Sequence, residues 1–111
     1  MSSTTDRLKA EFLAKQENLK YLRFLCERVF PFMPTDRQLD IWLRRFDVEL
    51  VSYSIEAAGR WYVNYHQELE KSVSAGKMTQ DEAFAKFKTE DDILRYASGC
   101  MYKEKAKREP K

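Results

Sequence analysis

The sequence predicts an all-α protein, a compact bundle of about five helices in a single domain, and three observations carry that expectation. Only three glycines and three prolines occur in 111 residues, too little punctuation for the many tight turns of a β-sandwich or barrel. Apolar residues recur near a period of 3.6 in each long segment between the turn signals. Hydrophobic residues make up 43% and aromatic residues 14%, enough to offset ordering entropy by burial, while the length is too short for two independent cores.

The elements follow from local signals. After Thr4, Thr5 and Asp6, the residues Leu8, Phe12, Leu19, Leu22, Cys26, Val29 and Phe30 mark one apolar face of a helix of about seven turns that Pro31 ends. Pro31-Phe32-Met33-Pro34 reads as a rigid apolar connector. Thr35 with Gln38 has capping-box spacing and starts a second helix near Asp36, whose wide apolar face carries Leu39, Ile41, Trp42, Leu43 and Phe46. Trp42 reads as core. Asp47 offers the next N-cap, for a long third helix from Val48 to about Ala75 that Gly76 closes in the left-handed conformation. Gly59 inside that helix costs about 1 kcal/mol against alanine and signals close helix packing.

Thr79 with Glu82 repeats the capping-box spacing before a short helix around Ala83, Phe84 and Phe87, and Thr89 with Asp92 repeats it before the last helix. That last helix carries Ile93, Leu94, Tyr96, Ala97, Cys100 and Met101. The domain therefore spans residues 1–102, and 103–111 reads as a basic, frayed C-terminal tail.

Twenty basic and eighteen acidic residues leave a formal charge of +2, so attraction to a polyanion has to come from a local patch. No apolar run is long enough to span a bilayer, and the polar start from Met1 to Asp6 has no signal-peptide pattern, so the expectation is a cytoplasmic protein with no membrane partner. Cys26 and Cys100 both fall within helical apolar patterns and read as buried free thiols.

No catalytic residue, metal ligand set or cofactor site is expected. His66 is the only histidine and has no neighbouring cysteine, so it reads as a helix-surface or interface residue. Asp81-Glu82 and Glu90-Asp91-Asp92 stand at helix starts, where capping and the helix dipole account for them. Gly59, Gly76 and Gly99 are isolated and form no phosphate cradle. The serines at 52, 54, 72, 74 and 98 sit in helical stretches without a nucleophile elbow.

Two surfaces have functional content. Arg95, Lys103, Lys105, Lys107, Arg108 and Lys111, with Tyr96 and Tyr102 interleaved, concentrate positive charge and rings at the C-terminal end, diluted by Glu104 and Glu109. Such a strip can hold a phosphate backbone and stack bases; equally, lysines at a helix end complement its dipole. The second is aromatic: Arg60, Trp61, Tyr62 and Tyr65 belong to the residue types enriched at protein-interface hot spots, and also to those that flank a core with their polar ends wet.

An apolar helix with Trp42 and Phe46, then Glu49-Leu50-Val51 to Ile55-Glu56-Ala57-Ala58, and a final helix around Tyr96-Ala97-Ser98-Gly99, resembles the helical domain of DnaD-type replication-initiation proteins of bacteria and phages. The resemblance covers roughly Gln38 to Glu104, with Tyr96 matching the tyrosine of that family's tyrosine, isoleucine, tryptophan spacing. Cys100 and Glu104 stand where that spacing has isoleucine and tryptophan, and the stretch holding the Thr79 helix separates the matching segments. What the resemblance implies is DNA binding through the final helix and the tail behind it. The leading expectation is thus a non-enzymatic binding module of a bacterial or phage DNA-replication or DNA-transaction system, with nucleic acid as partner. The rival is a small adaptor or inhibitor that binds a protein, or a second copy of itself, through the aromatic face.

Overall fold

Short polar side chains set the starts of the helices after the first. In the computed structural model, which describes residues 3–109, α1 spans Ser3–Val29, α2 Asp36–Arg45, α3 Val48–Ser74, α4 Gln80–Ala85 and α5 Glu90–Arg108. Thr35 Oγ1 accepts from the Gln38 N–H at 3.1 Å, and Asp47 Oδ1 accepts from the Leu50 N–H at 2.8 Å. Thr79 with Glu82 and Thr89 with Asp92 close both halves of the capping box. At the far end of α3, Gly76 takes φ +73°, which lets Lys77 N–H reach the Ser72 carbonyl and Gly76 N–H the Val73 carbonyl, so two otherwise orphaned acceptors are satisfied.

All five expected helices form, and no strand is present among the described residues. Their apolar faces meet in one core. Leu19, Leu22 and Cys26 of α1 pack with Leu39 and Trp42 of α2, Val51, Ile55 and Ala58 of α3, and Ile93, Ala97 and Met101 of α5. Trp42 is a core residue, and its indole Nε1–H donates to Ser98 Oγ at 3.0 Å, which fixes α2 against α5. Gly59 lets α3 approach the end of α1: a Cβ there would lie 2.9 Å from both the Cβ and the carbonyl oxygen of Val29. α4 packs on the outer end of α3, where Leu69 and Ala83 are buried outside the main cluster.

The N-terminal half of α1 outruns this core. The extents are 72 × 34 × 17 Å and the radius of gyration is 18.2 Å, against about 13 Å for a spherical domain of comparable length. The apolar face read for α1 is used only from Leu19 onward; Leu8 and Phe12 are 56% and 62% exposed. α2 doubles back along α1 and is tied to it by Lys15–Asp40 at 2.9 Å and by a two-pronged Arg23–Asp36 pair at 2.7 and 2.5 Å. No helix of the described residues is long and apolar enough to cross a membrane.

Residues 103–108, read from the sequence as a frayed tail, are a helical continuation of α5. The physical reason lies in ring contacts that composition does not display: Lys105 lies over the Phe46 ring at 5.7 Å and Arg108 over Tyr53 at 6.0 Å, while cations in the last turn complement the dipole. Pro110 and Lys111 lie outside the described residues.

Candidate nucleic-acid interface

α5 buries Ile93, Ala97 and Met101, half-buries Leu94, Ser98 and Cys100 beside them, and turns its remaining side outward. Arg95, Tyr96, Tyr102, Lys103, Lys105, Lys107 and Arg108 are all exposed. They do not form one strip, because their positions around a 3.6-residue helix differ. Tyr96, Lys103 and Lys107 share a side. Lys105 and Arg108 instead bend toward the α2–α3 junction, where they cover Phe46 and Tyr53.

Tyr96 brings the two surfaces read from the sequence together. Its ring stacks on Trp61 of α3 with centroids 4.3 Å apart and planes 8° from parallel. Trp61 in turn lies 6.3 Å from Tyr65, and the Lys88 ammonium sits 4.4 Å from the Tyr65 centroid and 5.5 Å from that of Trp61. A shallow groove of about 470 Å³ runs past these rings, with Arg60, Asn64 and Glu68 on its rim. Arg60 is exposed and makes no ion pair among the described residues. Trp61 and Tyr62 both pack against the core, but Tyr62, which the sequence groups with these residues, does not line the groove and instead meets His66 at 4.3 Å.

A second group forms at the far end of α5. Arg45 Nη1–H donates to the Tyr102 hydroxyl at 2.7 Å, and the Tyr102 ring meets Phe46 edge-on at 5.0 Å. Arg45 thus joins Lys103, Lys105, Lys107 and Arg108 at one end of the molecule, with Lys107 held 3.4 Å from Glu104. Sequence reasoning missed Arg45 and Lys88. Each had a signal: Arg45 is in the last turn of α2, and Lys88 immediately precedes the Thr89 cap, so both are basic residues at helix ends beside aromatic neighbours.

The two cysteines are held as thiols by their surroundings. Burial pushes the Cys26 thiol up to about 12, and burial also raises Cys100, so both remain protonated thiols near neutral pH. His66 is wedged among Tyr62, Phe87 and Tyr65, with its Nε2 buried and unpartnered, beside a groove of about 430 Å³ between α3 and α4. Among the described residues, no three His, Cys, Asp or Glu side chains gather closely enough to hold a metal ion.

Comparison with protein-family models, curated proteins and solved structures finds no match to this chain.

Proposed function

We propose that this chain is a non-enzymatic helical binding module of a bacterial or phage DNA-transaction system, and that it contacts nucleic acid through the basic end of α5. The observation that supports this reading most is the gathering of Arg45, Lys103, Lys105, Lys107 and Arg108 at one end of an elongated molecule whose net charge is only +2. Local concentration of cations gains affinity for phosphates by releasing condensed counterions. The link to DNA replication rests on the DnaD-type resemblance of the Trp42-to-Phe46 and Tyr96-to-Gly99 segments.

Titration of labelled single-stranded and duplex oligonucleotides at two salt concentrations tests the proposal. Affinity should fall steeply with salt, with a log–log slope of roughly −0.7 to −0.9 per phosphate neutralised. Replacing Lys103, Lys105, Lys107 and Arg108 by alanine should flatten that slope. Absence of binding at low salt, or binding unchanged in the quadruple variant, removes the proposal.

A second reading has one observation in its favour: Trp61 and Tyr65 stay partly exposed after folding, beside the unpaired Arg60. Under it the aromatic groove joins two copies of the chain. A dimeric mass in solution that Trp61→Ala and Tyr65→Ala convert to a monomer would support this association, and a monomeric mass at high protein concentration would eliminate it.

A further inference from the structure

The two glycines inside long helices incur the same intrinsic cost, about 1 kcal/mol each against alanine, but only one has a packing reason. Gly59 has Val29 pressed against it. Gly99 has nothing within 4 Å of where a Cβ would stand, and it is exposed. It lies about one turn beyond Tyr96 and one turn before Lys103, on the side of α5 that those two residues share. A helix backbone left bare between an exposed ring and a cation is suited to close approach by a ligand.

The ring itself is prepared for stacking. Tyr96 is 38% exposed, and its one ring contact among the described residues is the near-parallel stack on Trp61, so no second ring covers the opposite π-face. The Trp61 ring holds the phenol plane in place, so a base arriving on the outer face would extend an existing stack rather than order a loose side chain. Duplex nucleic acid keeps its base faces inside the helix, whereas an unpaired strand presents them. Beyond Gly99 the same side of α5 offers Lys103, which makes no ion pair among the described residues, and Lys107, which Glu104 partly neutralises.

Resting on the nucleic-acid reading above, we infer that the ligand class is single-stranded nucleic acid, with an unpaired base stacked on the outer face of Tyr96. Its backbone crosses α5 over Gly99 and its following phosphates meet Lys103 and Lys107. Arg60 and Lys88 flank the Trp61 side of the stack and favour the same charge.

The test uses the full chain and a labelled oligothymidylate of about ten nucleotides, within the usual span of single-strand sites, against a duplex of equal length. The single strand should bind more tightly, and Tyr96→Leu should weaken it by about ten-fold or more while Tyr96→Phe, which keeps the ring, binds like the parent. Gly99→Gln should raise the thermal midpoint yet weaken the strand by several-fold, a combination that misfolding cannot produce. In a Trp42→Phe background, strand addition should quench the emission of Trp61. Equal or tighter binding of the duplex, or single-strand affinity within about two-fold of the parent in both Tyr96→Leu and Gly99→Gln, overturns the inference. If the duplex binds and the lysine and arginine replacements abolish it while Tyr96→Leu does not, the basic-end reading stands and the stacking inference falls; if neither probe binds at low salt, both fall.

Discussion

Gly59→Ala and Gly99→Ala are chemically the same change within two long helices, and the structure predicts opposite signs. At Gly99 the new methyl meets nothing within 4 Å, so only the helix-propensity gain remains, about 1 kcal/mol of added stability. At Gly59 that gain is opposed by a Cβ placed 2.9 Å from the Val29 Cβ and 2.9 Å from its carbonyl oxygen. Half of that clash is with backbone, so no rotamer change relieves it; α1 must move away from α3 along the seam that buries Cys26, Ile55 and Ala58. Overpacking of this kind costs about 1–3 kcal/mol, which leaves Gly59→Ala a net loss of roughly 1 kcal/mol and separates the two variants by about 2 kcal/mol. In a chain of this length that is a difference of about 8 °C in thermal midpoint. Urea unfolding followed by far-UV circular dichroism measures it, with unchanged slopes required for the comparison. Adding Val29→Ala to Gly59→Ala should restore only part of the loss, because it removes the Cγ2 approach at 3.3 Å and leaves the Cβ and the carbonyl. A Gly59→Ala protein as stable as Gly99→Ala would refute the close-crossing argument.

Two further outcomes follow from burial and charge. Leu22→Ala should cost about 2–5 kcal/mol because the side chain is fully buried, whereas Phe12→Ala, 62% exposed on the projecting half of α1, should change unfolding free energy by less than about 0.5 kcal/mol; similar losses at both sites would mean that the projecting half is part of the folded core. On pH, the Arg23 guanidinium holds Asp36 below the usual carboxylate range, Lys15 does so first for Asp40 with Arg44 adding to it, and the Thr89 backbone N–H and hydroxyl do so for Asp92. A carboxylate depressed in the folded state adds stability that is present above its unfolded pKa and lost as pH falls through the folded value, so the thermal midpoint should decline below about pH 4. The triple Asp→Asn variant should show a flatter acid limb, and an unchanged limb would count against these pairings.

Helix boundaries were legible because their causes are local. A threonine that caps its own third successor, or Asp47 reaching the Leu50 N–H, needs no knowledge of the rest of the chain. The projection of α1 was not legible for the converse reason. Leu8 and Phe12 obey the same periodicity as Leu19 and Cys26, but burial depends on where the neighbouring helices end, and periodicity carries no information about that. The candidate site divides in the same way. The residue types at Trp61, Tyr65, Tyr96 and the C-terminal lysines could be read one segment at a time. That Tyr96 stacks on Trp61, and that Arg45 reaches Tyr102, are consequences of α5 packing across α3 and α2, a tertiary event with no mark in either segment.

The same packing decides which cations report cleanly on electrostatics. Lys105 and Arg108 each lie over a ring at the α2–α3 junction, an interaction worth about 0.5–1 kcal/mol at exposed sites. Removing either one therefore loosens the last turns of α5 as well as deleting a charge, and any fall in affinity mixes the two effects. Lys103 touches no ring or carboxylate among the described residues, and Lys107 has only Glu104, so their replacement leaves the helix anchored. In Lys103→Ala one phosphate of a bound single strand goes without its cation, so the salt slope should become shallower by roughly 0.7, with helicity unchanged. A larger fall in affinity for Arg108→Ala, accompanied by reduced helicity and no greater change in slope, would assign that residue to holding α5 on the domain rather than to the ligand.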